Sequence, residues 1–197
     1  INIDGETKIK AQKHFADAFP KIITVSRLDK RKGHDKILML IKNLKTKFPK
    51  IKYISIGFGE EEKNLLKLTK ELNLEKSVTF LKNIDYNFKT ALIAEANLFL
   101  MPSRIEKKSV EGFGISFIEA ASYGVGSIGG KDGGASNAIA HNKTGLICDG
   151  NDLNSIYNSV TTILQNEKFI KFGKEAKTFS ENFYWNKIVK KYLILIN

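Results

Sequence analysis

Short apolar runs alternate with longer amphipathic segments along most of this chain. Six runs have the length of a buried strand: KIITVS (21–26), IKYISIG (51–57), SVTFL (77–81), NLFLMP (97–102), VGSIGG (125–130) and TGLIC (144–148). Helical patterns lie between them, and the one in residues 34–48 places Ile37, Leu40, Ile41 and Leu44 on one face. Strands that alternate with helices in this way predict an α/β fold with a doubly wound parallel sheet.

The loops after the predicted strands are the places to search for a binding site, because a doubly wound sheet binds ligands outside the carboxyl ends of its strands. Five such loops read SRLDKRKG, GFGE, LKNID, PSRIEKKSVEGFG and GKDGGAS. Four of the five contain glycine, and the first and fourth also carry clustered cations. These two loops are therefore the first candidates.

Length and composition fit one domain with at most a small appendage. The chain has 197 residues, 42% of them hydrophobic, which is enough for a buried core. No apolar run approaches the roughly 18 residues of a membrane-spanning helix. Cys148 is the single cysteine, so no intrachain disulfide forms and a cytoplasmic location is expected. His14, His34 and His141 are far apart and no Cys/His ligand spacing accompanies them, so we expect no metal site.

A net charge of +11 raises the question of a nucleic-acid or anionic-membrane partner. Lys and Arg together number 32, and removing the three arginines, Arg27, Arg31 and Arg104, leaves 29 lysines spread along the helical faces. No strip of alternating basic and aromatic residues and no zinc-finger spacing accompanies them. We interpret the charge as a lysine-rich composition and expect no nucleic-acid partner, while salt-sensitive DNA binding would favour that alternative.

Two loops carry residues suited to a phosphate group. In the first, Arg27 and Lys32 lie five positions apart across a turn, so a planar guanidinium and an ammonium group can reach one polyanion. In the fourth, Gly112 and Gly114 precede a predicted helix whose free N–H groups favour an anion. Taken alone, the first loop has a solvated basic turn as its alternative interpretation, and the fourth loop has an ordinary glycine turn.

Glu119 is the one charged residue between Phe113 and Ala121. A buried carboxylate costs on the order of several kcal/mol unless hydrogen bonds or a cation compensate it, so a partner is expected. Glu111 precedes it with seven residues between them, and both carboxylates can face one cleft. Carboxylates accept hydrogen bonds from sugar hydroxyls, so this combination suits a nucleotide sugar. A nearby lysine is the alternative partner of Glu119.

At these residues the chain resembles the donor-binding half of retaining GT-B glycosyltransferases of family 4, the glycosyl transferases group 1. The resemblance is carried, in order over about residues 21–166, by VSRLDKRKG (Arg-x4-Lys-Gly), IGFG, FLMPSR, EGFGISFIEA (Glu-x7-Glu), GGKDGGAS and KTGLICDGND. The tail ENFYWNKIVKKY resembles the closing helix of the family. The spacing of PSR, VEGFGI and GGKDGG is most similar to bacterial lipid mannosyltransferases.

The resemblance implies a role for each matching residue. Arg27 and Lys32 would hold the donor pyrophosphate, Glu111 would contact the donor sugar, and Glu119 would bind the ribose hydroxyls. The other implied donor-binding residues present backbone amides to the sugar and phosphate, or contact the base: Gly112, Phe113, Gly114, Ile115, Leu81, Ile84 and Arg31. The implied reaction moves a hexose from a GDP- or UDP-linked donor to a glycan or lipid acceptor. It needs no metal or other cofactor, because Arg27, Lys32 and a helix N-terminus can neutralise the leaving diphosphate.

The resemblance also implies a second, acceptor-binding domain. The segment NIDGETKI (2–9) is similar to the linker after the first domain of family members, so we divide the chain into a lead-in (1–20), a Rossmann-like nucleotide-sugar-binding domain (21–166) and a C-terminal helical extension (167–197). We expect this chain alone to be an inactive half, with peripheral contact at the inner face of the membrane. Ser136 and Asn137 depart from the Pro-Glu pair common in the family. A non-catalytic nucleotide-binding or regulatory module is the alternative function.

Overall fold

The structure is a computed structural model and describes residues 3–196. Within this range six parallel strands form one sheet: β1 Lys21–Val25, β2 Lys52–Ile56, β3 Val78–Leu81, β4 Leu98–Met101, β5 Ser127–Gly130 and β6 Gly145–Cys148. Each strand lies within one of the six predicted runs. Strands β4 and β5 are buried along their whole length, as expected for a parallel sheet covered on both faces.

The helices of the described range follow the strands in alternation. Their bounds are α1 Gly5–Phe15, α2 His34–Leu44, α3 Glu62–Glu71, α4 Tyr86–Ala94, α5 Ile115–Ser122, α6 Ala135–Ala138, α7 Leu153–Leu164, α8 Lys168–Ser180 and α9 Trp185–Ile196, with 3-10 turns at Lys30–Lys32, Gln165–Glu167 and Glu181–Phe183. The predicted apolar face of α2 is buried at Ile37, Leu40, Ile41 and Leu44. The period of about 3.6 residues therefore identified this helix correctly.

The strand order is β3-β2-β1-β4-β5-β6, which confirms the doubly wound parallel sheet. Ile23 of β1 pairs with Ile54 of β2 on one side and with Phe99 of β4 on the other. The winding of the chain reverses between β1 and β4. A crevice opens at such a reversal, beyond the carboxyl ends of the two strands, and it is the usual ligand position in this architecture.

Each face of the sheet carries its own hydrophobic core. One core contains side chains of α2 and α7, such as Leu40 and Ile156. The other contains Phe15 of α1, Phe88 of α4 and Phe117 of α5. The sheet is therefore covered by helices on both sides, and ligand access is left to its edges and to the loops at the strand ends.

Helix α1 was not predicted from the sequence. It lies in the segment interpreted as a lead-in (1–20), and it packs against α4 with Ala11 and Phe15 buried. The Asp4 carboxylate caps its start by accepting the Thr7 N–H at 2.8 Å. A short segment with a weakly amphipathic pattern gains its helical stability from packing, which periodicity alone does not reveal. Residues 1 and 2 of the lead-in lie outside the described range.

The predicted C-terminal extension (167–197) is helical over α8 and α9, with a break at the 3-10 turn Glu181–Phe183, and α7 precedes it. Helix α8 packs against α5, where the backbones approach closely: a Cβ on Gly173 would lie 2.1 Å from the Gly124 carbonyl oxygen. Residue 197 of the predicted helical extension lies outside the described range. Among residues 3–196, none of the helices combines the length and apolar character needed to cross a bilayer.

Candidate functional site

The loops that follow β1 and β4 meet at the crevice where the winding reverses. The Arg104 N–H in the second loop donates to the Arg31 carbonyl in the first at 2.9 Å. The Arg104 guanidinium also donates two hydrogen bonds to the Asp35 carboxylate in α2, each 3.0 Å long. Bidentate pairing of this kind fixes orientation as well as distance. The two glycine- and cation-bearing loops are therefore held side by side.

Three predicted site residues form one buried cluster at this junction. Oε2 of Glu111 accepts from Arg31 Nη1 at 2.9 Å and from Lys32 Nζ at 2.5 Å. Glu111 is 8% exposed and the Lys32 side chain 10% exposed. Arg31 also lies 3.6 Å from a carboxylate oxygen of Asp29. Two cations and two carboxylates nearly neutralise each other here. A site for a phosphate group at this junction therefore needs positive charge from neighbouring residues.

Arg27 supplies such a charge. It is exposed, and its guanidinium forms no ion pair or hydrogen bond with the groups that the structure describes. It lines an open cavity of about 700 Å³, a size that suits a small organic ligand. The lining residues are Arg27, Asp29, Lys30, Arg31, Glu60, Glu61, Glu106, Lys107, Lys108 and Ser109. Lys32 is not among them, because its ammonium group is turned onto Glu111.

The EGFG segment connects this cluster to the start of α5. Gly114 is the N-cap of α5, with φ 77°, and no side chain caps the helix, so its first N–H groups are left for an external partner. A Cβ on Gly134 would lie 1.6 Å from the Gly112 carbonyl oxygen, and the Gly134 N–H donates to the Glu111 carbonyl at 3.0 Å. The second double glycine of GGKDGG, Gly133 and Gly134, therefore allows the loop after β5 to pack closely against the EGFG backbone.

The other predicted residues of this segment lie at the surface. Gly112 and Phe113 are exposed, and Ile115 is 76% exposed. The Phe113 ring contacts the Phe183 ring, with centroids 5.4 Å apart. An exposed helix start without a side-chain cap fits the predicted contact of these amides with an anionic ligand.

Glu119 has the partner that the sequence led us to expect, and that partner is a lysine. Its Oε1 lies 2.5 Å from Lys89 Nζ of α4, and both side chains are about four-fifths buried. The Lys89 ammonium also lies 4.5 Å from the centre of the Tyr86 ring. The second oxygen, Oε2, accepts no hydrogen bond within the described residues. No described contact joins Glu119 to Glu111, so their sharing of one ligand stays a prediction.

Leu81 and Ile84 lie at the end of β3 and in the loop after it. Both are partly buried and pack against the core formed by α1, α4 and α5. The Leu81 carbonyl accepts the Gly57 N–H at 2.9 Å, which ties the ends of β2 and β3 together. Arg31 is engaged with Glu111 and Asp29 instead. Recognition of a base by Leu81, Ile84 and Arg31 stays a prediction.

Several residues of the site were not identified from the sequence. Arg104 belongs to the PSR motif, but its partner Asp35 is 69 positions away in the chain. Lys89 is one of many lysines, and nothing local distinguishes it before α4 and α5 pack. In residues 3–196 no group of three or more His, Cys, Asp or Glu side chains is arranged to hold a metal ion. Metal independence itself stays a prediction.

Comparison with known proteins identifies a family and several relatives to which this chain is similar. The family described as Glycosyl transferases group 1 matches residues 5–184. A GDP-mannose-dependent alpha-(1-6)-phosphatidylinositol monomannoside mannosyltransferase of Mycobacterium tuberculosis is 33% identical over 147 residues, which cover 74% of this chain and 38% of that relative. The chain thus spans well under half the length of this relative.

Solved structures show the same fold. A glycosyltransferase from Rickettsia africae has a TM-score of 0.80 at 21% identity, covering 98% of this chain and 52% of that one. Anabaena HepE in complex with UDP and glucose has a TM-score of 0.76 at 20% identity, covering 91% of this chain and 48% of that one. The transferase names of these proteins do not favour the alternative of a non-catalytic module. The family match extends over most of the sequence, and the chain therefore belongs to the glycosyl transferases group 1 family.

Proposed function

We propose that this chain is the donor-binding part of a retaining glycosyltransferase that moves a hexose from a GDP- or UDP-linked donor. The observation that carries the proposal is the pairing of Arg31 and Lys32 with Glu111 where the winding of the sheet reverses, with Arg27 exposed in the cavity that Arg31 also lines. Arg27 and Arg31 in the cavity, together with Lys32 and the α5 start next to Glu111, suit a diphosphate.

The diphosphate would lie between Arg27 and the start of α5. Arg27 is free to contact it, whereas Lys32 must share its ammonium group between the diphosphate and Glu111. The amides of residues 112–115 would complete the site. These groups are positioned before the reaction, so they can stabilise the negative charge that develops on the leaving diphosphate without a metal ion.

The two carboxylates would bind the hydroxyl groups of the donor. Lys89 holds Oε1 of Glu119, so Oε2 is the oxygen available to the ribose. Glu111 would contact the donor sugar, with Arg31 and Lys32 fixing its orientation. Leu81 and Ile84 would contact the base, with Arg31 as a further candidate. The mycobacterial relative is named for GDP-mannose and the Anabaena structure contains UDP, so both bases are included in the proposal.

The acceptor, a glycan or lipid, would be bound by a second domain. The chain spans 38% of the length of the mycobacterial relative, and in this scheme it binds only the donor. Positioning an acceptor can supply roughly 7–11 kcal/mol of a bimolecular barrier. Residues 1–197 alone should therefore bind donor without transferring its sugar. A cytoplasmic enzyme with peripheral contact at the inner face of the membrane fits a lipid acceptor.

A thermal-shift and calorimetric screen of GDP, UDP and their hexose conjugates, with and without a chelator, tests the proposal. A ligand at about 100 times its dissociation constant stabilises the folded chain by about 2.7 kcal/mol, which is readily measured. Arg27→Ala should weaken binding more than chelation does. Lys42→Ala, at an exposed position in the last turn of α2, is the matched loss of one positive charge and should bind as wild type does.

Stabilisation by none of these nucleotides at millimolar concentration would overturn the donor-binding proposal. Binding that requires magnesium would overturn the proposed phosphate site, and robust glycosyl transfer by residues 1–197 alone would overturn the division of labour between two domains.

A further inference from the structure

A chain of hydrogen bonds runs across three strands beneath the crevice. Thr24 of β1 donates its hydroxyl proton to the Leu100 carbonyl of β4. Tyr53 of β2 contacts the same hydroxyl, with its Oη 3.0 Å from Thr24 Oγ1. His34, at the start of α2, places Nδ1 2.9 Å from Tyr53 Oη. Thr24, Tyr53 and His34 are fully buried, so water cannot replace any of these bonds.

The other end of the imidazole reaches the loop that carries the predicted phosphate ligands. His34 Nε2 lies 3.0 Å from Ser26 Oγ and 3.3 Å from the Arg27 carbonyl oxygen. Ser26 directly follows β1 and directly precedes Arg27. The chain of bonds therefore extends from the Leu100 carbonyl of β4 to Ser26, the residue before the exposed Arg27 of the cavity.

The direction of each bond follows from the carbonyl at its inner end. A carbonyl only accepts, so the single hydroxyl proton of Thr24 is given to Leu100, and Tyr53 must donate to Thr24. Tyr53 then has no proton left for His34, so Nδ1 carries the imidazole proton. Nε2 of the neutral ring is then an acceptor and gives no proton to the Arg27 carbonyl. The Ser26 hydroxyl is the donor within its reach, and it lies 3.0 Å from Nε2 and 3.1 Å from the Arg27 carbonyl oxygen.

Burial lowers the pKa of His34 from 6.5 to about 4, so the ring is neutral near pH 7 and this arrangement of protons persists. The same shift makes Nε2 a weak base. Ser26 and His34 are therefore poorly suited to act as a nucleophile and its base. Their contact is better explained as a structural bond that holds the backbone turn.

We propose that His34 is a positioning residue of the donor site, which acts by fixing the Ser26 hydroxyl and thereby the Ser26–Arg27 turn that presents the Arg27 guanidinium to the diphosphate. This inference rests on the proposed function, since it assigns a role toward the same ligand. Neither His34 nor Ser26 touches the reacting atoms in this scheme. Their effect reaches the ligand only through Arg27.

The test uses Ser26→Ala, because replacing the buried His34 would also remove a hydrogen bond to Tyr53 Oη and so change stability at the same time. Binding of GDP or UDP, whichever wild type binds, is measured by calorimetry for wild type, Ser26→Ala, Arg27→Ala and the double variant. Loss of one neutral hydrogen bond should weaken diphosphate binding by about three- to tenfold. The loss should disappear in the Arg27→Ala background, and Ser26→Thr should restore affinity because it keeps the hydroxyl.

A merely structural role would lower the melting temperature and leave the diphosphate affinity of the folded chain unchanged. Wild-type affinity for Ser26→Ala, or an equal loss with and without Arg27, would overturn this inference while leaving the donor site in place. Absence of nucleotide binding by wild type would overturn the proposed function and this inference with it.

Discussion

Replacing Glu111 with glutamine removes the charge on which two cations converge. Its Oε2 accepts from Arg31 Nη1 at 2.9 Å and from Lys32 Nζ at 2.5 Å. Glutamine keeps the size of the side chain and one acceptor oxygen, but it leaves two neighbouring cations without their shared carboxylate. We expect the variant to fold with reduced stability.

The size of the loss follows from the burial of the three groups. Breaking a buried ion pair by removing one partner costs about 3–5 kcal/mol, whereas an exposed pair is worth about 0–1 kcal/mol. Lys32 and Arg31 retain 10% and 16% side-chain exposure, and Arg31 keeps Asp29 at 3.6 Å. Partial solvation and this second carboxylate place the expected decrease in the free energy of unfolding at about 2–3 kcal/mol.

Urea denaturation near neutral pH measures this decrease, with Glu71→Gln as the matched control. Glu71 forms an exposed pair with Lys67 at 3.7 Å, and its loss should change stability by no more than about 0.5 kcal/mol. Calorimetry provides a second measurement: Glu111→Gln should weaken binding of the nucleotide sugar and spare the free nucleoside diphosphate, because only the sugar would contact Glu111.

Equal stability changes in Glu111→Gln and Glu71→Gln would refute the buried cluster. Equal losses of affinity for the nucleotide sugar and the free diphosphate would refute the assignment of Glu111 to the sugar.

Three further predictions concern neighbouring parts of the site. Glu119→Gln should weaken nucleoside diphosphate binding by about 1.5–3 kcal/mol in calorimetry, because ribose hydroxyls lose a charged acceptor; unchanged affinity would contradict the ribose role. Gly134→Ala should lower the melting temperature, because its Cβ would lie 1.6 Å from a backbone oxygen, whereas Gly112→Ala, with nothing within 4 Å, should not; equal melting temperatures would argue against the tight loop contact. Burial lowers the pKa of His34 from 6.5 to about 4, so between these values the unfolded chain binds a proton that the folded chain does not. The free energy of unfolding therefore decreases by up to about 3 kcal/mol as the pH is lowered through this range. Urea titrations at about pH 7.5 and about pH 4.5 should show a smaller decrease for His34→Gln, and an identical decrease would count against the neutral buried ring.

Local patterns in the sequence determined the elements of the sheet and the loops that matter. Continuous apolar runs placed the six described strands, because a strand covered on both faces needs apolar side chains on each of them. The period of about 3.6 residues placed α2, because one face of that helix is buried. Arg31, Lys32 and Glu111 were also identified in advance and do meet. Their location at one edge was predictable because the carboxyl ends of parallel strands gather there. Their pairing with one another was not predicted.

Pairings between distant residues were decided only by the tertiary structure. Arg31 and Glu111 are 80 positions apart, and they meet because β4 lies beside β1 although β2 and β3 intervene in the chain. The order of strands depends on the packing of whole helices and not on any local pattern. Lys89 was likewise selected from 29 lysines only by the contact of α4 with α5.

Proton positions and the role of α1 depend on the same long-range packing. The Nδ1 proton of His34 is set by a carbonyl on β4, through hydroxyl groups on β1 and β2, so no single segment specifies it. Helix α1 has a weak amphipathic pattern of its own and is stabilised by burying Ala11 and Phe15 against α4. The sequence alone thus determined which elements form and which loops carry charge, because these follow from local periodicity and residue type. The tertiary structure decided which side chains became partners, because pairing energies depend on distances that only the assembled sheet sets.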